Sequence, residues 1–334
     1  MPLQRWLESR WYSGQPPPFW LRPLAWLYGV IARGRRARLT AKAQRLPVPV
    51  IVVGNLSVGG TGKTPFTVWL VQRLREWGYT PGVISRGYGG HAPQYPMAVT
   101  ADSDPAHCGD EPLLLARRLG VPLAVDPDRA AAGRLLLQHD PQIDVLVADD
   151  GLQHYRLARD LEICVVDGAR GLGNGALLPA GPLREPPQRL REIPLCVVNG
   201  GGWRAAGVAC SDMALAMAEY RRFDGTRAAL GTLAGQRVHA VAGIGHPPRF
   251  FAQLRAQGLT VIEHPFPDHH AYVAGDLAFG DDLPVLMTEK DAVKCAAIAP
   301  PHWAWVPVDA VIDDAGIAAV RKLCEQRLKP PHHG

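Results

Sequence analysis

From residue 47 onward, short apolar runs alternate with longer stretches whose apolar positions recur at helical spacing. Runs of strand length stand at 48–54 (VPVIVVG), 81–85 (PGVIS), 121–125, 144–148 and 161–166. Helices are expected over 65–77 and 128–139. Strands that are apolar on both faces and separated by helices predict βαβ units and a parallel sheet. Right-handed crossovers then gather every strand's C-terminal end on one edge. Polar sequences of unusual composition follow those ends: SVGGTGKT at 57–64, SRGYGG at 85–90, DPDR at 126–129, DDGLQH at 149–154 and DGARG at 167–171. Open α/β sheets bind their ligands at that edge, so it collects most of the candidate chemistry.

A second α/β pattern follows the Pro/Gly-rich stretch 179–187 (PAGPLREPP), which reads as an interdomain crossing. Apolar runs at 194–198, 237–242, 260–263, 284–288 and 303–307 read as strands, 249–257 as a helix, and 315–328 as a final helix. The expected organisation is an N-terminal segment (1–46), a first α/β domain (47–178), a smaller α/β domain (179–312), and a C-terminal helix with a disordered tail (313–334).

The first 46 residues break the pattern. Trp6, Trp11, Trp20 and Trp26 stand there with Tyr12, Phe19 and Tyr28, and the apolar run LAWLYGVI (24–31) leads into Arg33, Arg35, Arg36 and Arg38. Aromatic and apolar residues beside grouped arginines suit a helix lying at an anionic lipid interface. The alternative is a helix packed on the domain with its arginines in water. No run reaches the ~20 apolar residues of a membrane span, and no cleavable signal peptide is expected.

Composition narrows the class without naming it. The 334 residues are 47% hydrophobic and 20% charged, which excludes a disordered chain. The net charge of +5 is small for this length, so the placement of charge matters more than its sum. Six scattered cysteines without a CxxC pair read as free thiols, not as a disulfide or zinc framework.

The strongest local signal is SVGGTGKT. It matches the phosphate-binding loop G-x-x-x-x-G-K-[ST] except that Ser57 replaces the first glycine. Ser57, Val58, Gly59, Gly60, Thr61 and Gly62 would wrap a phosphate with backbone N–H groups. Lys63 would reach the β- and γ-phosphates, and Thr64 would ligate Mg²⁺. The helix that follows points its N-terminus at the same anion. Asp149 and Asp150 end an apolar strand, where such proteins hold Mg²⁺ directly or through water. These assignments make the expected fold a P-loop NTPase core, its mostly parallel sheet flanked by helices, with a second, smaller α/β domain and with a nucleotide and Mg²⁺ bound at the loop.

Such a loop serves both phosphoryl transfer and hydrolysis. GGTGKT also resembles the loop of dimeric partitioning ATPases, but those carry a further lysine where Val58 stands. TEKD (288–291) lacks the asparagine of a guanine-binding motif. A kinase also needs residues that hold an acceptor hydroxyl and take its proton. Asp110 and Glu111 of GDEP, and Asp268, His269 and His270 of PDHH, are candidates; GDEP could equally cap a helix and DHH could be an exposed loop. Arg86 reads as a cation for substrate phosphate or as a structural arginine. His154 reads as a sugar contact or a turn cap.

The ordered set VGNLSVGGTGKTP, SRGYGG, GDEP, DDGLQH, PAGPLREP, FPDHHAY and TEKDAVK resembles the bacterial tetraacyldisaccharide 4′-kinase family over about 53–294, and the aromatic N-terminus shares in the resemblance. The resemblance implies transfer of the γ-phosphate of ATP, with Mg²⁺, to the 4′-hydroxyl of a tetraacylated glucosamine disaccharide 1-phosphate, a lipid A precursor. It implies a catalytic Asp–His dyad at Asp110 and His269, a metal role for Asp149 and Asp150, and a place near nucleotide and metal for Glu185. The expected partners are the glycolipid and the cytoplasmic face of the inner membrane, with no nucleic acid and no required protein partner. The alternative is a membrane-associated P-loop ATPase that couples hydrolysis to partner binding.

Overall fold

A computed structural model describes residues 3–328 and 330. The tail expected to be disordered (330–334) lies outside the described residues apart from Pro330. Two helices, α1 (Leu3–Trp11) and α2 (Arg22–Thr40), precede the first strand. The large α/β unit then runs β1 (Val50–Gly54), α3 (Lys63–Glu76), β2 (Pro81–Ser85), β3 (Met97–Val99), α4 (Pro105–Cys108), α5 (Asp110–Leu119), β4 (Leu123–Val125), α6 (Arg129–His139), β5 (Val145–Ala148), β6 (Leu161–Asp167), β7 (Leu195–Asn199) and β8 (Cys210–Ala216). The smaller unit holds β9 (Glu219–Arg222), β10 (Arg227–Ala229), β11 (Arg237–Ala242), α7 (Pro247–Ala256), β12 (Thr260–Pro265), β13 (Val285–Thr288), α8 (Glu289–Cys295) and β14 (Ala304–Val306). The chain then returns with β15 (Asp309–Ile312) and α9 (Asp314–Arg327).

The large sheet has nine strands in the order β15-β8-β7-β6-β1-β5-β2-β4-β3. Its seven central strands are parallel, and the two edge strands run antiparallel to their neighbours. Parallel strands must be covered on both faces, which explains why β1, β2 and β5 are buried along their whole length. Helices α3, α5 and α9 pack on one face through Phe66, Leu70, Leu113 and Val320. Helix α6 packs on the other through Ala132 and Leu136. Strand β1 has β5 on one side and β6 on the other, so the strand order reverses at β1 and opens a crevice above its end.

The smaller sheet has six strands in the order β10-β9-β14-β13-β11-β12. Helix α7 covers one face with Phe250, Phe251 and Leu254, and α8 covers the other with Ala292 and Cys295.

Two expected boundaries move. The large sheet does not stop at residue 178: β7 and β8 extend it, and the chain first leaves it after Ala216. Nor is the C-terminal helix a separate piece, since Val320 and Cys324 of α9 are buried against the large sheet. The stretch 179–187 is therefore no linker. Val58 N donates to the Pro182 carbonyl (2.9 Å), and Arg184 N donates to the Leu56 carbonyl (2.7 Å). Its prolines and glycines make a buried turn that props the loop after β1.

Helix α2 shows both sides of the N-terminal reading at once. On one side Leu21 and Ala25 pack on Ala180, and Tyr28 Oη donates to the Arg184 carbonyl (3.2 Å). On the other, Trp26 and Ile31 stand 68% and 60% exposed, and Phe19, in the turn that leads into the helix, 79%. None of the described helices is long and apolar enough to cross a membrane.

Candidate active site

The loop 57–64 runs from the end of β1 to the first turn of α3. Gly59 and Gly62 both take positive φ (99° and 96°), which L side chains rarely adopt. At Gly62 a side chain has no room either, because its Cβ would lie 2.7 Å from Asn199 Nδ2. That amide instead donates to the Thr61 carbonyl at 3.0 Å, so the end of β7 holds the loop open. Ser57 is buried and pairs with Leu183 of the propping turn.

Above this edge lies a cleft of about 2720 Å³ between the two sheets. Val58, Gly59, Gly60, Thr61, Gly62, Lys63 and Thr64 line its floor, and Arg86, Asp149, Asp150, His154 and His269 line its walls. The structure thus brings together most of the residues singled out from sequence.

The two aspartates after β5 are not equivalent. Asp149 is buried, and Thr67 Oγ1 donates to its Oδ1 at 2.9 Å. Burial, helped by the charges of Glu111 and Asp150, pushes its carboxyl up to about 7. Asp150 has Lys63 Nζ at 3.5 Å and Arg184 Nη1 at 3.7 Å. Burial works against its charge, but Lys63, Arg184 and Arg129 outweigh it and hold the carboxyl below its ordinary range. Two adjacent carboxylates, one of them pushed toward neutrality, form a site short of a cation. With Thr64 in the same cleft they suit Mg²⁺, which binds through one or two carboxylates together with substrate phosphate.

A pH dependence follows from Asp149. Between about 4 and 7 the folded chain keeps a proton that the unfolded chain has released, because the carboxyl is raised from 3.8 to about 7. Stability from this group is therefore present at the acid end of that window and lost as pH rises through it. Asp149→Asn should flatten this component, so the metal-free variant gains thermal stability over wild type as pH rises from about 4 to about 7, and the gap levels off above that. Melting curves from pH ~5 to ~8 check this, and parallel curves for the two proteins would refute it.

Across the cleft, Asp110 opens α5 and His269 follows β12. His269 Nδ1 lies 3.1 Å from Asp110 Oδ2, and Asp110 sits behind the imidazole, away from the cleft surface. Gly109, at φ 89°, permits this: a Cβ there would meet the Tyr88 carbonyl at 2.5 Å. SRGYGG thus packs on GDEP, and the Tyr88 ring stands edge-on to His269 with centroids 5.3 Å apart. Among the described residues the only non-glycines at positive φ are Asp150 (44°) and His269 (61°). Both face the cleft, and unusual backbone of this kind concentrates where function demands it.

Glu185 does not reach the cleft surface. It is buried below it, accepting from Gln153 Nε2 (2.9 Å) and from the Tyr155 hydroxyl, with Arg189 Nε 3.8 Å away. It acts on the site through Gln153, which does line the cleft. His154 lines the cleft with a buried, unpartnered Nε2; burial and the Arg129 charge push its pKa down to about 4, so the ring is neutral at physiological pH.

Arg129, at the start of α6, carried no assigned role in the sequence. It is buried, its Nε has no partner, and Nη2 donates to the Asp150 carbonyl at 3.3 Å. Burial pulls its pKa down to about 10, and neighbouring Arg86 adds to the effect. A buried cation at a helix N-terminus opposes the helix dipole and suits an arriving anion. The signal was an arginine directly after DPD at a strand end. Lys290 was also missed, inside the motif TEKD. Together Lys63, Arg86, Arg129 and Arg184 give the cleft the charge to hold a polyphosphate.

Residues 18–325 match the family model described as tetraacyldisaccharide-1-P 4′-kinase. The chain belongs to this family. Among tetraacyldisaccharide 4′-kinases, that of Methylobacillus flagellatus is 52% identical, covering 98% of this chain and 99% of the relative. That of Alkalilimnicola ehrlichii is 55% identical over 88% of this chain and 90% of its own. The crystal structure of an "apo" form of LpxK from Aquifex aeolicus in complex with ATP superposes with a TM-score of 0.77 at 29% identity, covering 91% of this chain and 98% of that one.

Proposed function

We propose that this chain transfers the γ-phosphate of ATP to the 4′-hydroxyl of a tetraacylated glucosamine disaccharide 1-phosphate, working from the cytoplasmic face of the inner membrane. The observation that carries this reading is the facing of the phosphate loop and the Asp110–His269 pair across one cleft. The first holds a donor phosphate and the second a proton acceptor.

Phosphoryl transfer through a loose transition state needs positioning and charge more than covalent help. The loop amides and the α3 N-terminus would bind the phosphates, with Lys63 and Arg129 neutralising charge beside them. Mg²⁺, held by Thr64, Asp149 and Asp150, would supply further neutralisation on the transferring group. His269 would take the hydroxyl proton, oriented by Asp110. Nothing in the cleft favours the ATPase reading, and family membership speaks for transfer.

The test is γ-labelled ATP, Mg²⁺ and detergent-dispersed disaccharide 1-phosphate lipid. Label moving to lipid supports the reading; label released only as free phosphate, independent of lipid, refutes it.

The exposed side of α2 supports the membrane placement. Four acyl chains hold such a substrate in a bilayer, since each buried CH₂ contributes roughly 0.8 kcal/mol. Phe19, Trp20, Leu24, Trp26 and Ile31 offer an apolar face, while Arg35 and Arg38 at the far end of the helix line the cleft. Replacing both Trp26 and Ile31 by glutamate should weaken co-sedimentation with anionic liposomes by at least about tenfold, without loss of fold. Unchanged sedimentation would remove the membrane role of this face.

A further inference from the structure

The side chain of Lys290, at the start of α8, closes the far side of the His269 ring. Its Nζ lies 3.2 Å from Asp268 Oδ1, 3.4 Å from Glu111 Oε1 and 3.4 Å from His269 Nε2. Burial works against its charge, but Glu111, Asp268 and Asp110 outweigh it and hold the amine above its ordinary range. Lys290 is therefore an ammonium, with three N–H donors and no acceptor. Its three donors meet three acceptors. Since an ammonium can only donate, His269 Nε2 must accept. A neutral imidazole carries one ring proton, so that proton lies on Nδ1, facing Asp110 Oδ2 at 3.1 Å.

We propose that Lys290 is a positioning residue that holds His269 in the Nδ1–H tautomer, with its Nε2 lone pair unprotonated and capped until an acceptor hydroxyl displaces the lysine N–H. This rests on the reading of His269 as the base. In the step itself the hydroxyl oxygen bonds to the γ-phosphorus, and its proton passes to the Nε2 lone pair. The bond from the γ-phosphorus to the bridging oxygen breaks, and ADP leaves with the electron pair. The imidazolium so formed faces the ammonium of Lys290, which favours return of the proton to water before the next turnover.

The groups around the ring fix the expected sign. Asp110 approaches from α5, Asp268 from the ring's own loop, Lys290 from α8, and Tyr88 from the loop after β2, while Glu111 of α5 pairs with Lys290. Without Lys290, Asp110 and Asp268 flank the imidazole with no nearby ammonium, so the ring should stay protonated to higher pH.

The experiment compares full-length wild type, Lys290→Met, Lys290→Arg and His269→Ala by pH–rate profile and by ¹⁵N NMR of histidine-labelled protein. The expected wild-type spectrum has His269 protonated at Nδ1 and bare at Nε2 near neutral pH. Lys290→Met should lose about tenfold in kcat near neutral pH, keep KM for ATP within about twofold, and move the acid limb of kcat up by about one unit. Lys290→Arg should keep the limb in place. A wild-type ring protonated at Nε2 would overturn the proposal without any variant needing to fold. So would a Lys290→Met protein slowed by one constant factor at every pH. Full activity in His269→Ala would instead break the base assignment, while the wild-type spectrum reads the tautomer separately.

Discussion

Changing Lys63 to alanine should lower the rate of phosphate transfer by about 10³-fold while leaving the chain folded. The side chain leaves the first turn of α3 into the cleft, where Asp150 holds it at 3.5 Å. In a loose transition state, charge spreads over the transferring oxygens, and a fixed ammonium in a recessed site offsets it with little reorganisation. Arg184 and Arg129 remain beside Asp150, so the carboxylate is not stranded and the fold should survive. Label transfer measures the rate and thermal melting checks the fold. A folded variant within tenfold of wild type would mean that the loop binds phosphate through its amides alone.

The second large effect is expected at His269. Its replacement by alanine should cost about 10²- to 10³-fold in kcat, with little change in KM for ATP. Loss of a general base removes a contribution made only in the transition state, whereas the nucleotide is held by the opposite wall. Asp110→Asn should slow the reaction less, since an amide oxygen still accepts from Nδ1 but carries no charge to stabilise the imidazolium. Near-full activity in His269→Ala would return the DHH loop to a structural role.

The parallel core and the edge that carries the chemistry were legible because β1, β2, β5 and β6 are buried along nearly their full lengths and so read as uninterrupted apolar runs. The glycines and lysine of the phosphate loop declare themselves by spacing. The outer strands were hidden for the opposite reason. Strand β8 is only partly buried and reads CSDMALA, and β3 and β15 are short edges with one neighbour each. The misplaced boundary at 179 has a physical source as well: proline and glycine mark a tight buried turn as readily as a linker. No spacing rule could join Asp110 to His269, 159 residues apart; the pairing came through the family resemblance. Lys290 escaped because a lysine between two acids on a helix reads as an ordinary solvated face.

The return of the chain to its large sheet has a consequence for how the protein is made. Strand β15 and helix α9 are the last described elements to leave the ribosome, yet they cover β8 and part of the first core. Domains commonly fold in order of synthesis, N-terminal first. Here the first unit cannot finish until the second has been made, and Arg118 of α5 waits for the Val308 carbonyl that it binds at 2.9 Å. A nascent chain stalled before residue 309 should carry a complete phosphate loop on an unfinished sheet, with β8 as an open edge for chaperones to guard.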